Sequence, residues 1–153
     1  MRIYLKSFAI TILFILLSSC GYKSLVKENP INLNIENFNT QKGDRKLGKI
    51  IKSEIMLYSS LQSNRNINII LEIDKKKLIK EKNLKNRVTK YNLTLNVTAY
   101  VKGDFDDKFS FTQSSSTSVT ASSFSNFLDE ERVYSNLAKL IASDFKNILA
   151  LNY

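Results

Sequence analysis

The stretch INLNIENF, residues 31–38, alternates cleanly. Ile31, Leu33 and Ile35 face one way and Asn32, Asn34 and Glu36 the other, the period of a half-buried strand. NTQKGD then breaks the pattern with Gly43 and offers Asp44 as a helix N-cap. Over 46–61 the period lengthens. Leu47, Ile50, Ile51, Ile55, Tyr58 and Leu61 recur at three- and four-residue steps, with Lys46, Lys49, Lys52 and Ser53 off that stripe. This predicts an amphipathic helix. Its lysines would suit a membrane surface, but the strands on either side need a cover, so packing on a sheet is the better assignment.

A second strand is predicted over 67–79. Ile67, Ile69, Leu71 and Ile73 share a face, Lys75, Lys76 and Lys77 interrupt it, and Leu78 and Ile79 follow. KEKNLKNR, 80–87, reads as a turn. The third strand, 89–101, has the clearest signal: Tyr91, Leu93, Leu95, Val97, Ala99 and Val101 alternate with Lys90, Asn92, Thr94, Asn96 and Thr98. A turn over 102–108 carries Gly103. The serines of 109–123 would suit a linker. Phe109, Phe111, Thr117, Val119 and Ala121 nevertheless keep one phase, which predicts a fourth, antiparallel strand whose inward face becomes small after Phe111.

The last helix is predicted from residue 126 or 129 to about residue 149. Asp129, Glu130 and Glu131 suit the positive end of its dipole. Phe127, Tyr134, Leu137, Ala138, Ile141, Phe145 and Ile148 form its buried stripe, with Lys139 and Lys146 outside it. The order is β-α-β-β-β-α. Each strand has one polar face, so both helices belong on the apolar one. The predicted class is α+β: a two-layer sandwich, a four-stranded and mainly antiparallel sheet carrying two helices on one face.

The N-terminus follows a different logic. Arg2 and Lys6 precede an apolar run over 8–17, FAITILFILL, and Ser18 and Ser19 lead to Cys20. A basic start, a short apolar core and a small-residue exit make a secretory signal peptide. A bilayer-spanning helix needs about twenty apolar residues, so the run is too short for a permanent anchor. Cys20 is the only cysteine in the chain. An exported protein with one unpaired thiol carries a redox liability, and Leu17-Ser18-Ser19-Cys20 resembles the lipobox of bacterial lipoproteins, where that thiol is acylated and the chain is cut just before it. The expected division is a signal peptide over 1–19, a lipidated stalk over 20–30 and one domain over 31–153. Acyl chains contribute about 0.8 kcal/mol per buried methylene, so two or three hold a domain on a membrane durably.

Charge and residue types narrow the partners. The chain has a formal net charge of +9, of which Arg2 and Lys6 leave with the leader. A basic domain at an envelope surface meets lipid headgroups, lipopolysaccharide phosphates and acidic proteins, and no nucleic acid is expected. There is no histidine, and no Gly-x-Ser-x-Gly elbow occurs. Asp104, Asp106 and Asp107 sit at a turn and lack EF-hand spacing, and Asp129, Glu130 and Glu131 belong to a helix start. Neither an enzyme nor a metal site is expected, and no cofactor beyond the diacylglycerol and N-acyl chain on Cys20.

Cys20-Gly21-Tyr22 opening a small β-α-β-β-β-α domain resembles the LPS-assembly lipoprotein (LptE) family. NRVTKYNLTLNVTAYV, the serine-rich strand and NFLDEERVYSNLAKLIASDFKNIL resemble that family's third strand, fourth strand and C-terminal helix. The resemblance covers nearly the whole mature chain and rests on order and pattern. It implies an outer-membrane lipoprotein that plugs the β-barrel LptD, helps it assemble and aids lipopolysaccharide delivery to the outer leaflet. Lipopolysaccharide binding, which some members show, would fall to Lys82, Lys85, Arg87 and Lys90, through charge-assisted contacts to phosphates. A free-standing periplasmic ligand-binding lipoprotein is the alternative.

Overall fold

A computed structural model describes residues 33–59, 63, 65–103 and 106–152, so Ile31, Leu61, the leader, Cys20 and the stalk lie outside the described residues. The elements are β1 (Asn34–Lys42), α1 (Arg45–Met56), β2 (Asn66–Lys82), β3 (Val88–Lys102), β4 (Asp107–Ser118) and α2 (Ser123–Asn152). They form the α+β sandwich that the pattern predicts. The sheet runs in the order β1-β2-β3-β4, with β1 parallel to β2 and the other pairs antiparallel.

Several element ends differ from expectation, the first helix among them, which stops at Met56 rather than near 61. β1 runs on through Thr40 and Gln41 to Lys42, where the sequence reads as a turn. Its backbone pairs with β2 from Asn34↔Asn66 to Lys42↔Glu72, and register shifts after Ile35 and Thr40 absorb the break in alternation. The β2 strand likewise continues through Lys75–Lys77 to Lys82, because β3 pairs with it throughout, from Asn68↔Lys102 to Lys82↔Val88. The lysines mark where the inward face leaves the core rather than where the strand ends: residues 74–82 are all exposed. The serine-rich stretch is a strand only to Ser118. α2 begins at Ser123, earlier than the acidic triplet suggests. There Ser122 Oγ accepts from the Ser125 N–H at 3.2 Å, and Asn126 Oδ1 accepts from the Thr120 N–H at 2.7 Å, so side chains cap this end.

The core joins Ile67, Ile69, Leu71 and Ile73 of β2 to Leu93, Leu95, Val97, Ala99 and Val101 of β3. Over them lie Leu47, Ile51 and Ile55 of α1, and Tyr134, Leu137, Ala138, Ile141, Ala142, Phe145 and Leu149 of α2. Phe145 packs on Phe109 and Phe111 with ring centroids 6.1 and 5.4 Å away. Phe127 is a correction to the predicted stripe: it is 59% exposed, beyond the end of the apolar face. Each buried aliphatic or aromatic side chain contributes about 1.5–3 kcal/mol. An exposed ion pair gives at most about 1 kcal/mol, so apolar burial holds the layers together and charge only adjusts them.

One polar junction ties both helices to the sheet. Gly43 has a φ of 93°, and a Cβ there would lie 1.9 Å from the Ile73 carbonyl oxygen. Asp44 then caps α1, accepting from the N–H groups of Lys46 and Leu47 at 2.9 and 3.3 Å. Lys75 Nζ of β2 bonds Asp44 at 2.8 Å and lies 3.8 Å from Glu131 of α2, which also pairs with Lys46 at 2.9 Å. The hydrogen bond from Lys75 holds the Asp44 carboxyl below its ordinary 3.8, outweighing the opposing effect of partial burial, and the Leu47 and Lys46 N–H groups add to it.

A depressed carboxyl stabilises the fold above its unfolded value near pH 4, and that contribution disappears as pH falls through the lower folded value. Asp44→Asn keeps a competent N-cap but loses the charged partner of Lys75. Urea denaturation is expected to find the variant less stable by up to about 1 kcal/mol near neutral pH. The gap should close as pH drops through the folded pKa of Asp44. A gap that persists unchanged in acid would remove the Lys75 pair as its source.

Candidate functional site: the basic tip and the polar sheet face

β2 and β3 run on to a hairpin whose tip is residues 83–87, with β4 beside β3 as far as Ser118 opposite Lys90. The Asn83 N–H donates to the Arg87 carbonyl, and the Asn86 N–H donates to the Asn83 carbonyl, both at 2.9 Å. Asn83 Oδ1 accepts from the N–H groups of Lys85 and Arg87, both at 3.0 Å. Asn86 takes a left-handed φ of 59°, a conformation that asparagine tolerates better than most residues. Side-chain bonding therefore gives this tip a defined shape.

The sequence groups Lys82, Lys85, Arg87 and Lys90 as one basic set, and the fold divides it. Lys82, Lys85 and Arg87 are exposed at the tip, and no carboxylate among the described residues pairs with them. Lys90 is half-buried and pairs with Glu81 at 3.0 Å, because register shifts on either side of Glu81 bring that residue opposite it. Three cations stay available, and the fourth is engaged.

The charge pattern does not reveal that this end is also apolar. Leu84, at the tip, is fully exposed, and Leu78 and Ile79 just behind it are more than half exposed. Leu84 stands alone among polar residues in KEKNLKNR, the one local signal available. Behind the tip, on the helix side, an open groove of about 320 Å³ is lined by Lys77, Tyr91, Val119, Ser123, Asn126, Phe127 and Glu130. Lys77 pairs with Glu130 and sits 4.1 Å from the Tyr91 ring centroid. Phe124 nearby on α2 is 71% exposed. Basic and apolar groups thus meet at the end of β2 away from Asn34. The 17 residues of β2 span roughly 55 Å at about 3.3 Å each, so the tip and the start of β1 are far apart.

The face of the sheet away from the helices is mostly polar, with Ile70, Leu78 and Tyr100 as its apolar members. Asn34 bonds Asn66 at 3.0 Å, and Asn37 bonds Asn68 at 2.8 Å. Thr94 meets Ser114 at 2.8 Å, Thr112 donates to Asn96 at 2.9 Å, and Lys80 donates to Ser116 at 2.7 Å. Such a surface can lie against other polar walls without leaving groups unsatisfied. Among the described residues, no cluster of three or more carboxylate or thiol side chains could hold a metal, and no helix is long and apolar enough to cross a membrane.

No protein-family profile and no curated protein matches the sequence. Solved structures do match the fold. Rare lipoprotein B from Shewanella oneidensis superposes with a TM-score of 0.58 at 11% identity, covering 74% of this chain and 93% of its own. A minor lipoprotein from Acinetobacter baumannii gives 0.57 at 14% identity, covering 78% and 94%. A putative lipoprotein from Caulobacter crescentus gives 0.55 at 12% identity, covering 79% and 89%. The fold of this chain is therefore one that bacterial lipoproteins of the rare lipoprotein B type share, as the resemblance implied.

Proposed function

We propose that the chain is an outer-membrane lipoprotein, acylated on Cys20, that seats in the lumen of the lipopolysaccharide-export barrel LptD and helps it assemble. The single observation that carries this reading is the largely polar, hydrogen-bonded outer face of the sheet. The interior of a large membrane barrel is polar, so a plug must offer a polar, hydrogen-bonding wall, and Asn92, Thr94, Asn96 and Thr98 with their neighbours on β4 offer one. The shared fold with bacterial lipoproteins and the lipobox-like Leu17-Ser18-Ser19-Cys20 support the anchored, envelope-facing part of the reading.

Lipopolysaccharide contact falls to the tip in this proposal. Lys82, Lys85 and Arg87 suit phosphates, and Leu84 suits the acyl boundary of an amphiphile. Lys90 contributes less, because it already holds Glu81.

With a tag after Tyr153, pull-down from gently solubilised envelopes is expected to bring a stoichiometric large β-barrel. Recovery of the chain alone would defeat the plug reading and favour an independent ligand-binding lipoprotein. Changing Lys82, Lys85, Arg87 and Lys90 together to alanine should weaken lipopolysaccharide capture about tenfold, with Lys90→Ala alone having the smallest effect. Unchanged capture by the folded quadruple variant would remove the tip as the site.

A further inference from the structure

A second groove lies at the other edge of the sheet. It is an open cleft of about 570 Å³ between β1 and α1, lined by Phe38, Asn39, Thr40, Gln41, Arg45, Gly48, Lys49 and Lys52. β1 is an edge strand, paired only with β2 among the described residues. Alternate backbone N–H and C=O groups along it therefore have no ladder partner among the described residues, as at any strand edge.

The opposite wall is cationic. Arg45, Lys49 and Lys52 follow steps of four and three on α1, which align them in one ridge. All three are exposed and lack a carboxylate partner among the described residues, whereas Lys46, one position off the ridge, is held by Glu131. No carboxylate lines the cleft. Gly48 brings ridge and strand close together: a Cβ there would lie 2.0 Å from Thr40 Oγ1.

We propose that this cleft binds an extended acidic segment of a partner protein by adding it as a fifth strand beside β1. Backbone groups would supply the ladder, and α1 would read the side chains, the general logic of strand addition. The spacing fits. The ridge spans roughly 10 Å at about 1.5 Å per helical residue, and alternate strand residues lie about 6.7 Å apart, so two or three acidic side chains at every second position face it. Charge selects against a second copy of this chain, which would bring the same three cations face to face. The site is remote from the tip and does not depend on the lipopolysaccharide or barrel reading.

The probe is an eight-residue peptide alternating glutamate with threonine, added to the full chain in detergent and followed by fluorescence anisotropy and amide hydrogen exchange. It should bind and slow exchange along β1. Replacing its glutamates with lysines should abolish binding. N-methylation at alternate positions, which removes ladder donors but no charge, should do the same. Arg45, Lys49 and Lys52 changed together to glutamate should weaken binding about tenfold with the circular dichroism spectrum unchanged. Equal binding of the N-methylated peptide would overturn strand addition. Full displacement by inorganic phosphate with no protection of β1 would reveal a simple anion patch and overturn it equally.

Discussion

The corner at Gly43-Asp44 is the constraint from which the rest of the architecture follows. β1 cannot continue beside β2 past Glu72, because the chain turns there over the Ile73 carbonyl, so tightly that only a residue without a Cβ fits. The turn needs a positive φ, and the next residue must start a helix at once. Asp44 does this with its own carboxylate, and the same carboxylate takes Lys75 from the strand below. A lysine that would otherwise end the apolar face of β2 thereby becomes the fastening between sheet and helices. Its ammonium loses hydration on partial burial, but Asp44 and Glu131 restore more than that, and its pKa is raised.

Two unlike surfaces result from ending β1 so early. Beyond Lys75 β2 has no strand on its β1 side among the described residues. The β2 side chains from Asp74 to Lys82 are all exposed, while Leu93 and Leu95 on the neighbouring β3 stay buried. Tyr134 marks the limit of cover: its ring is buried and its hydroxyl donates to the Lys76 carbonyl at 3.0 Å. On the other side of the corner, α1 returns over β1 at close range and leaves an open edge beneath a basic ridge. The tip gathers three cations around an exposed leucine. The cleft has the edge strand on one side and the cations of α1 on the other. An amphipathic tip suits an amphiphile, and a strand-lined cleft suits a peptide.

The sequence carries the inward phase of every strand because burial imposes it residue by residue: Leu93 to Val101 could hardly alternate so cleanly for another reason. Element ends are less legible, since they depend on pairing between residues distant in the chain. Nothing local in Thr40 and Gln41 says that Leu71 and Glu72 will hold them in a strand, and nothing in Lys75–Lys77 says that β3 reaches past them. Phe127 misleads for the complementary reason. It keeps helical phase with Tyr134 but lies beyond the end of the core, where phase no longer implies burial. The basic tip could be read from composition. The division of its four cations could not, because it turns on a register shift that sets Glu81 opposite Lys90.

Paired and unpaired cations are what separate structural charge from binding charge here. Lys46, Lys75, Lys77 and Lys90 each hold a carboxylate, while Lys108 and Lys146 lie over the rings of Tyr100 and Tyr58. Recruiting any of the first four to a ligand means breaking a contact already made, so their net gain from a new anion is small. Lys82, Lys85 and Arg87 at the tip, and Arg45, Lys49 and Lys52 at the cleft, have no such contact to surrender among the described residues. Spread over the surface, they would serve only solubility. Gathered in two places, each beside a feature that charge alone cannot provide, they have a reason for being there: exposed leucine in one case and an open strand edge in the other.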